Sequence, residues 1–348
     1  MIDLRSDTVT LPTDDMRKAM ANAVVGDDVY QEDPTVIELE KMSAEIVGKE
    51  AGLFLTSGTM GNLVAVLANC QRGDEVIIGD QSHTFLHEVG GISALGGVTP
   101  HTLPNLPDGT IRIDQILEAF RGEDIHEPTT KMIILENTHN RCGGVAISKA
   151  YLDQIGDIAK ENSLSLHIDG ARIFNAAIKM DINVKELLKK VDSITFCLSK
   201  GLGAPVGSVL CGPADFILRA RKLRKQLGGG MRQSGIIAAG GIYALTHHID
   251  RLVEDHQRAI VLANGLKKIP GIHLHLNSPQ TNMVFLKFDL QNHKTIQQLN
   301  DRLKSNDIFV GTTGTSTIRM VTHLNINDDD IEKTIQCFSE LSPEFLIT

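Results

Sequence analysis

The chain has 348 residues, a formal net charge of -9 and 42% hydrophobic residues. At about 150 residues per domain, that length suggests two domains. The acidic balance argues against a nucleic-acid partner, whose phosphates need clustered Lys and Arg, and no apolar run approaches the roughly 20 residues that cross a bilayer. Five cysteines, Cys70, Cys142, Cys197, Cys211 and Cys337, form no Cys-x-x-Cys pair. With an opening too polar for a signal peptide, they point to a reduced, cytoplasmic protein with thiols as small core residues.

In chain order, short apolar runs alternate with helical patterns, the signature of βαβ units and a mostly parallel sheet. Strands are expected at 75–79, 132–136, 164–169, 193–198 and 207–211. Helices are expected at 35–47, 62–70, 149–161 and 184–190. The basic cluster Arg219, Arg221, Lys222, Arg224 and Lys225 reads as a solvated helix face. From Leu245 to Leu266, apolar residues recur at three- and four-residue steps and predict one long amphipathic helix, stopped by Pro270-Gly271. Strands then follow at 281–290 and 318–322, and Asn327-Asp328-Asp329-Asp330 opens a terminal helix, its carboxylates on the positive end of the dipole. The large domain is placed at 1–245 and a smaller α/β domain at 246–348.

The chemistry gathers at strand ends. Thr195–Ser199 delivers Lys200, and glycines at 201 and 203 free the backbone to turn. Leu164–Ile168 delivers Asp169. An amine and an aspartate on successive strand ends suit pyridoxal 5'-phosphate: the lysine forms the Schiff base and the aspartate holds the pyridinium proton. Ser57, Gly58 and Thr59 stand between an apolar run and a helical pattern, where backbone N–H groups and the helix dipole can cradle a phosphate; an ordinary helix cap reads the same way. Arg172 suits either a substrate carboxylate or an ion pair. His83, just past a strand, can stack on a flat ring or move a proton. His87 makes a His-x-x-x-His pair with it, but no third metal ligand is apparent, and no metal is expected. His126 reads as a surface histidine, and Arg232, beside Gly228-Gly229-Gly230, as an arginine within reach of a phosphate in this subunit or a neighbour.

Taken together, these pieces resemble the low-specificity L-threonine aldolase family of fold type I pyridoxal-phosphate enzymes. The resemblance is carried by Asp3–Thr10, Val25–Tyr30, Glu136–Asn140, His167–Asn175, Gly228–Gln233 and Ile318–His323. It implies an α/β fold like that of aspartate aminotransferase: a mostly parallel seven-stranded sheet with a smaller α/β C-terminal domain. It implies Lys200 as the cofactor-bearing lysine, Gly58 and Thr59 at the phosphate with a partner's Arg232, and Asp169 at the ring nitrogen. Arg172 would lie near the ring oxygen, and His83 would stack on the ring. Ser6, Arg172 and Arg319 would bind the amino-acid carboxylate, His83 and His126 would approach the β-hydroxyl, and Tyr30 would lie close by. The implied reaction is retro-aldol cleavage of L-threonine, L-allo-threonine or both to glycine and acetaldehyde, through a quinonoid intermediate, in a homotetramer of dimers with shared sites. A β-eliminating lyase on the same scaffold, releasing pyruvate and ammonia, is the alternative. The pattern departs from some relatives at Arg141-Cys142-Gly143-Gly144.

Overall fold

The computed structural model describes all residues except Glu123, Asn277 and Thr348. Seven strands form the central sheet in the order Ala51–Leu55, Ser208–Gly212, Ser193–Cys197, Ser165–Asp169, Thr130–Glu136, Glu75–Gly79 and Thr99–Leu103. Only Ser208–Gly212 runs against its neighbours. The other six therefore end on one edge, which is where open α/β sheets place their ligands.

Alternate residues of one strand enter different cores. Ile77, Ile133 and Leu135 pack on one face, while Val76, Ile78, Met132 and Ile134 pack on the other. Burial on both faces explains why these strands read as unbroken apolar runs rather than alternating ones. Thr99–Leu103 was not expected as a strand. It is one of the two edge strands, half-exposed and carrying Pro100, His101 and Thr102, so it lacks the apolar run.

A second sheet is antiparallel, in the order Gly311–Thr312, Thr317–Val321, Met283–Phe288 and Ile272–Leu274. Its core includes Leu262, Leu266, Val284, Leu286, Met320 and Phe338. The N-terminal segment joins this layer: Ile2 and Asp3 pair in parallel with Ile308 and Phe309, and Leu4 accepts a hydrogen bond from the Val321 N–H. The terminal helix Asp328–Phe345 starts with a reciprocal cap, Asn327 to the Asp330 N–H and Asp330 to the Asn327 N–H. Among the described residues no helix is long and apolar enough to cross a membrane, and all five cysteines are buried free thiols.

Two expectations are corrected. The long helix is two helices, Gly235–His247 and Leu252–Leu266. The chain turns between them because they serve different cores: Ala238, Ala244 and Leu245 pack with the large sheet, and Ala259, Leu262 and Leu266 with the small one. His248 turns inward at the break, its Nδ1 2.6 Å from the Leu202 carbonyl. The basic cluster is not simply a solvated face. On the helix Ala214–Gln226, Arg221 pairs with Glu40, while Arg224 pairs with Asp28 and donates to the Phe54 carbonyl. Arg224 and Asp28 are each only 3% exposed, so the pair braces the first sheet strand from inside.

The helix Gly58–Asn69 lies hard against the sheet at Gly61. A Cβ there would meet Thr195 Cγ2 at 2.4 Å and Thr195 Oγ1 at 2.9 Å. Thr195 is buried and β-branched, so it has nowhere to move. Gly61→Ala is expected to destabilise the protein by about 1–3 kcal/mol through overpacking, read as a lowered urea midpoint. An unchanged midpoint would show that this contact is not tight.

Candidate active site

A cavity of about 200 Å³ sits at the carboxyl edge of the sheet, lined by Ser57, Gly58, Thr59, His83, Asp169 and Lys200 together with Asn62 and Glu88. The strands explain the gathering. Asp169 ends Ser165–Asp169, Lys200 lies three residues past Ser193–Cys197, and His83 lies four past Glu75–Gly79. Ser57 caps the helix Gly58–Asn69 by accepting from the Met60 N–H at 3.2 Å. The Gly58 and Thr59 N–H groups have no partner among the described hydrogen bonds, as expected for the open end of a helix. A Cβ on Gly58 would stand 3.0 Å from Cys197 Sγ, so glycine lets the backbone come close.

Asn62 organises the floor. Its Nδ2 donates to Glu88 Oε1 at 2.8 Å and to Asp169 Oδ2 at 2.9 Å. Its Oδ1 lies 3.4 Å from Nε2 of His167, a fully buried imidazole that burial pushes down to about 4 and keeps neutral. Asp169 is fixed further by the Ala171 N–H on Oδ1 and the Thr84 hydroxyl on Oδ2. A carboxylate so anchored can face a protonated ring nitrogen without swinging away. His83, Glu88 and Asp169 are close enough together to suggest a cation site. Asn62 Nδ2 occupies the space between the two carboxylates, however, and a donor there takes the place of a cation.

Glu88 and Asn62 are functional candidates that sequence reasoning missed, since nothing local marks either one. Glu88 is buried, and its Oε1 lies 2.9 Å from His83 Nδ1. Its Oε2 has no partner among the described residues. Burial raises the Glu88 carboxyl above its usual range. The hydrogen bond to Glu88 raises His83 against the opposing effect of burial, with help from the charge on Asp169. With Nδ1 engaged by Glu88, Nε2 is the ring nitrogen left for a ligand.

The N-terminal segment closes another side. Arg172 donates from Nε and Nη2 to Asp7, at 2.7 and 2.6 Å, in a fully buried bidentate pair. Burial alone would raise Asp7, but Arg172, Lys200 and Arg319 together hold it far below the ordinary carboxylate range. Two of the Arg172 donors are therefore committed to Asp7, a partner the sequence did not suggest. Arg319 donates to Asn140 Oδ1 and to the Arg5 carbonyl, and its buried Nε has no partner among the described residues. Ser6 lies beside Asp7, 3.4 Å away at its hydroxyl. Lys200 Nζ likewise takes part in no described hydrogen bond or ion pair, although Asp7 feels its charge.

Six expected residues are not in the lining of this cavity: Ser6 and Arg172 sit with Asp7, Arg319 lines a neighbouring cavity, and the other three are exposed on their own chain. His126 is exposed and bonded to Asp124, Arg232 is exposed and paired with Asp27, and Tyr30 is 71% exposed.

The His83–Glu88 pair has a pH signature. Because the folded His83 value is raised, its stabilisation is complete below the ordinary histidine range and is lost as pH rises through the folded value. Glu88→Gln is expected to make the His83 imidazole titrate at lower pH, followed by NMR. The stability gap to the wild type should narrow as pH climbs through the raised value. An unchanged His83 titration would remove Glu88 from this role.

Residues 3–289 match the family model described as β-eliminating lyase. A probable low-specificity L-threonine aldolase 2 from Arabidopsis thaliana is 47% identical over 343 residues, 98% of this chain and 97% of that one. A low specificity L-threonine aldolase from Escherichia coli K12 is 44% identical over 331 residues, covering 95% and 96% of the two chains. A solved threonine aldolase from Leishmania major superposes with a TM-score of 0.83 at 22% identity, covering 98% of this chain and 99% of that one, which is a likeness of fold. The cradle, the free lysine amine and the anchored aspartate fit pyridoxal phosphate, and the chain belongs to the L-threonine aldolase family of pyridoxal-phosphate-dependent, fold type I lyases.

Proposed function

We propose that the chain catalyses retro-aldol cleavage of L-threonine, L-allo-threonine or both to glycine and acetaldehyde. The observation that carries this reading is the unpartnered Lys200 amine lining one small cavity with the anchored Asp169 and the open end of a helix. Pyridoxal phosphate, bound at Lys200, supplies an electron-withdrawing ring next to the substrate Cα.

The chain does the rest. The free N–H groups of Gly58 and Thr59, at the positive end of a 12-residue helix, hold the phosphate. Asp169 keeps a proton on the ring nitrogen by opposite charge. Arg319, through its spare Nε, takes the amino-acid carboxylate, with Ser6 and the Arg172 donors not committed to Asp7 nearby. His83 accepts the β-hydroxyl proton at Nε2 while Glu88 steadies the other nitrogen. The Cα–Cβ bond then breaks and the aldehyde leaves.

We assign His126, Tyr30 and Arg232 to a neighbouring subunit's site in a homotetramer of dimers. Their exposure and their absence from the lining of their own cavity support this, as do the apolar residues Val24, Val25 and Ile236 left exposed on a single chain. The free buried thiols support a reducing, cytoplasmic setting, and the products fit threonine breakdown and glycine formation.

The family description also names β-elimination, and products separate the two reactions. The purified protein given pyridoxal phosphate should develop the visible absorbance of a lysine-bound cofactor, and Lys200→Ala should lack it. With L-threonine, glycine and acetaldehyde should form in equal amounts, and His83→Asn should slow this by about 10²–10⁴-fold. A 2-oxo acid and ammonia in their place would establish elimination, and retention of the band in Lys200→Ala would overturn the lysine assignment.

A further inference from the structure

A second cavity, of about 530 Å³, opens beside the first. His87, Asn140 and Arg141 line it from the large-sheet side, and His275, Thr317 and Arg319 from the small-sheet side. The two cavities adjoin: His83 lines the first, and its ring centroid is 5.5 Å from that of His87. Among the described residues, the lining of the second holds two arginines and two imidazoles but no carboxylate.

The acid just beneath is already engaged. Glu136 Oε2 accepts from the His83 N–H at 2.7 Å, and Oε1 from the Asn140 N–H at 2.8 Å. Arg141 uses only Nε, on Gln81 at 3.0 Å, and both terminal nitrogens lack a partner among the described residues. Arg319 lines the same region, but its Nε is taken by the amino-acid carboxylate in the reading above. Burial, then the neighbouring His83 and Arg141, hold His87 below its usual value, so Arg141 supplies the positive charge left for a Cβ substituent. A chamber of this size, with unmatched positive charge, exceeds what the single methyl of threonine requires. It suits a substituent that is itself an anion and can accept from a guanidinium fork.

We propose that this cavity receives a carboxylate borne on Cβ, so that the enzyme also cleaves L-β-hydroxyaspartate to glycine and glyoxylate. The inference rests on the retro-aldol reading above. The step balances without an oxidant. The β-hydroxyl proton passes to the base, the Cα–Cβ bond breaks, and its electron pair stays on the glycine portion until a proton is added at Cα. The hydroxyl carbon leaves as the aldehyde of glyoxylate, with Arg141 on its carboxylate.

The test is to assay the holoenzyme with the L-threo and L-erythro forms of β-hydroxyaspartate, trapping glyoxylate, alongside L-threonine, trapping acetaldehyde. Glyoxylate and glycine are expected in equal amounts. Arg141→Gln should lower kcat/KM for β-hydroxyaspartate by about tenfold, mainly through KM, as befits loss of a charge-assisted contact, while the value for threonine stays within about twofold. His275→Gln should act the same way more weakly and serves if the first variant folds poorly. Acetaldehyde without glyoxylate overturns this inference alone, as does a parallel loss on both substrates in Arg141→Gln. Inactivity on threonine as well overturns the retro-aldol reading and this inference with it.

Discussion

The close approach of one helix to the sheet underlies the whole site. Gly61 lets the helix Gly58–Asn69 press against Thr195, and two consequences follow from that single contact. The helix N-terminus arrives beside the strand that carries Lys200. One residue further on, Asn62 points its amide between Glu88 and Asp169. The phosphate cradle, the ring partner and the support behind His83 are therefore set by one packing distance. Small changes in that distance would shift all three together, because interiors are close-packed and transmit strain.

Charge in this interior is arranged in compensated pairs. Asp7 and Arg172 satisfy each other with two short hydrogen bonds, and Arg224 meets Asp28 in a single buried ion-pair contact at 2.8 Å beside the first strand. Such pairs add little net stability but fix geometry, since removing one partner strands the other. The Asp7 contribution persists through neutral pH and is lost only in strong acid, as pH falls through its lowered value. Against this background the uncompensated groups stand out. Lys200, Arg319 and Arg141 line the two cavities, and the Lys200 amine, Arg319 Nε and the Arg141 terminal nitrogens have no partner among the described residues. Unmatched donors that line a cavity are what a ligand would satisfy.

Much of this was legible in the sequence, for a definite reason. Strands buried on both faces appear as apolar runs, and a polar residue ending such a run must emerge at the sheet edge, which is how Asp169 and Lys200 could be picked out. The edge strand Thr99–Leu103 escaped because its solvent face breaks the pattern. The helix break at His248 escaped because apolar spacing records that a face is buried, not which core buries it. Glu88, Asn62 and Asp7 escaped because their partners lie 5 to 165 positions away in the chain. No local spacing encodes such a meeting; only the folded topology does. The same holds for Arg221 and Arg224, whose partners sit on another helix and in the N-terminal segment.

The N-terminal segment has a double attachment. Its first residues add a strand to the small layer, with His323 reaching the Asp3 carbonyl at 2.8 Å, and a few residues later Asp7 enters the large layer. It works as a clasp across the two halves of the molecule. A protease that nicked it between these anchor points would leave Arg172 facing Asp7 on a loosened strap, while the two sheets kept their own cores. Damage confined to this short stretch would therefore be felt at the catalytic cleft before it registered in overall stability.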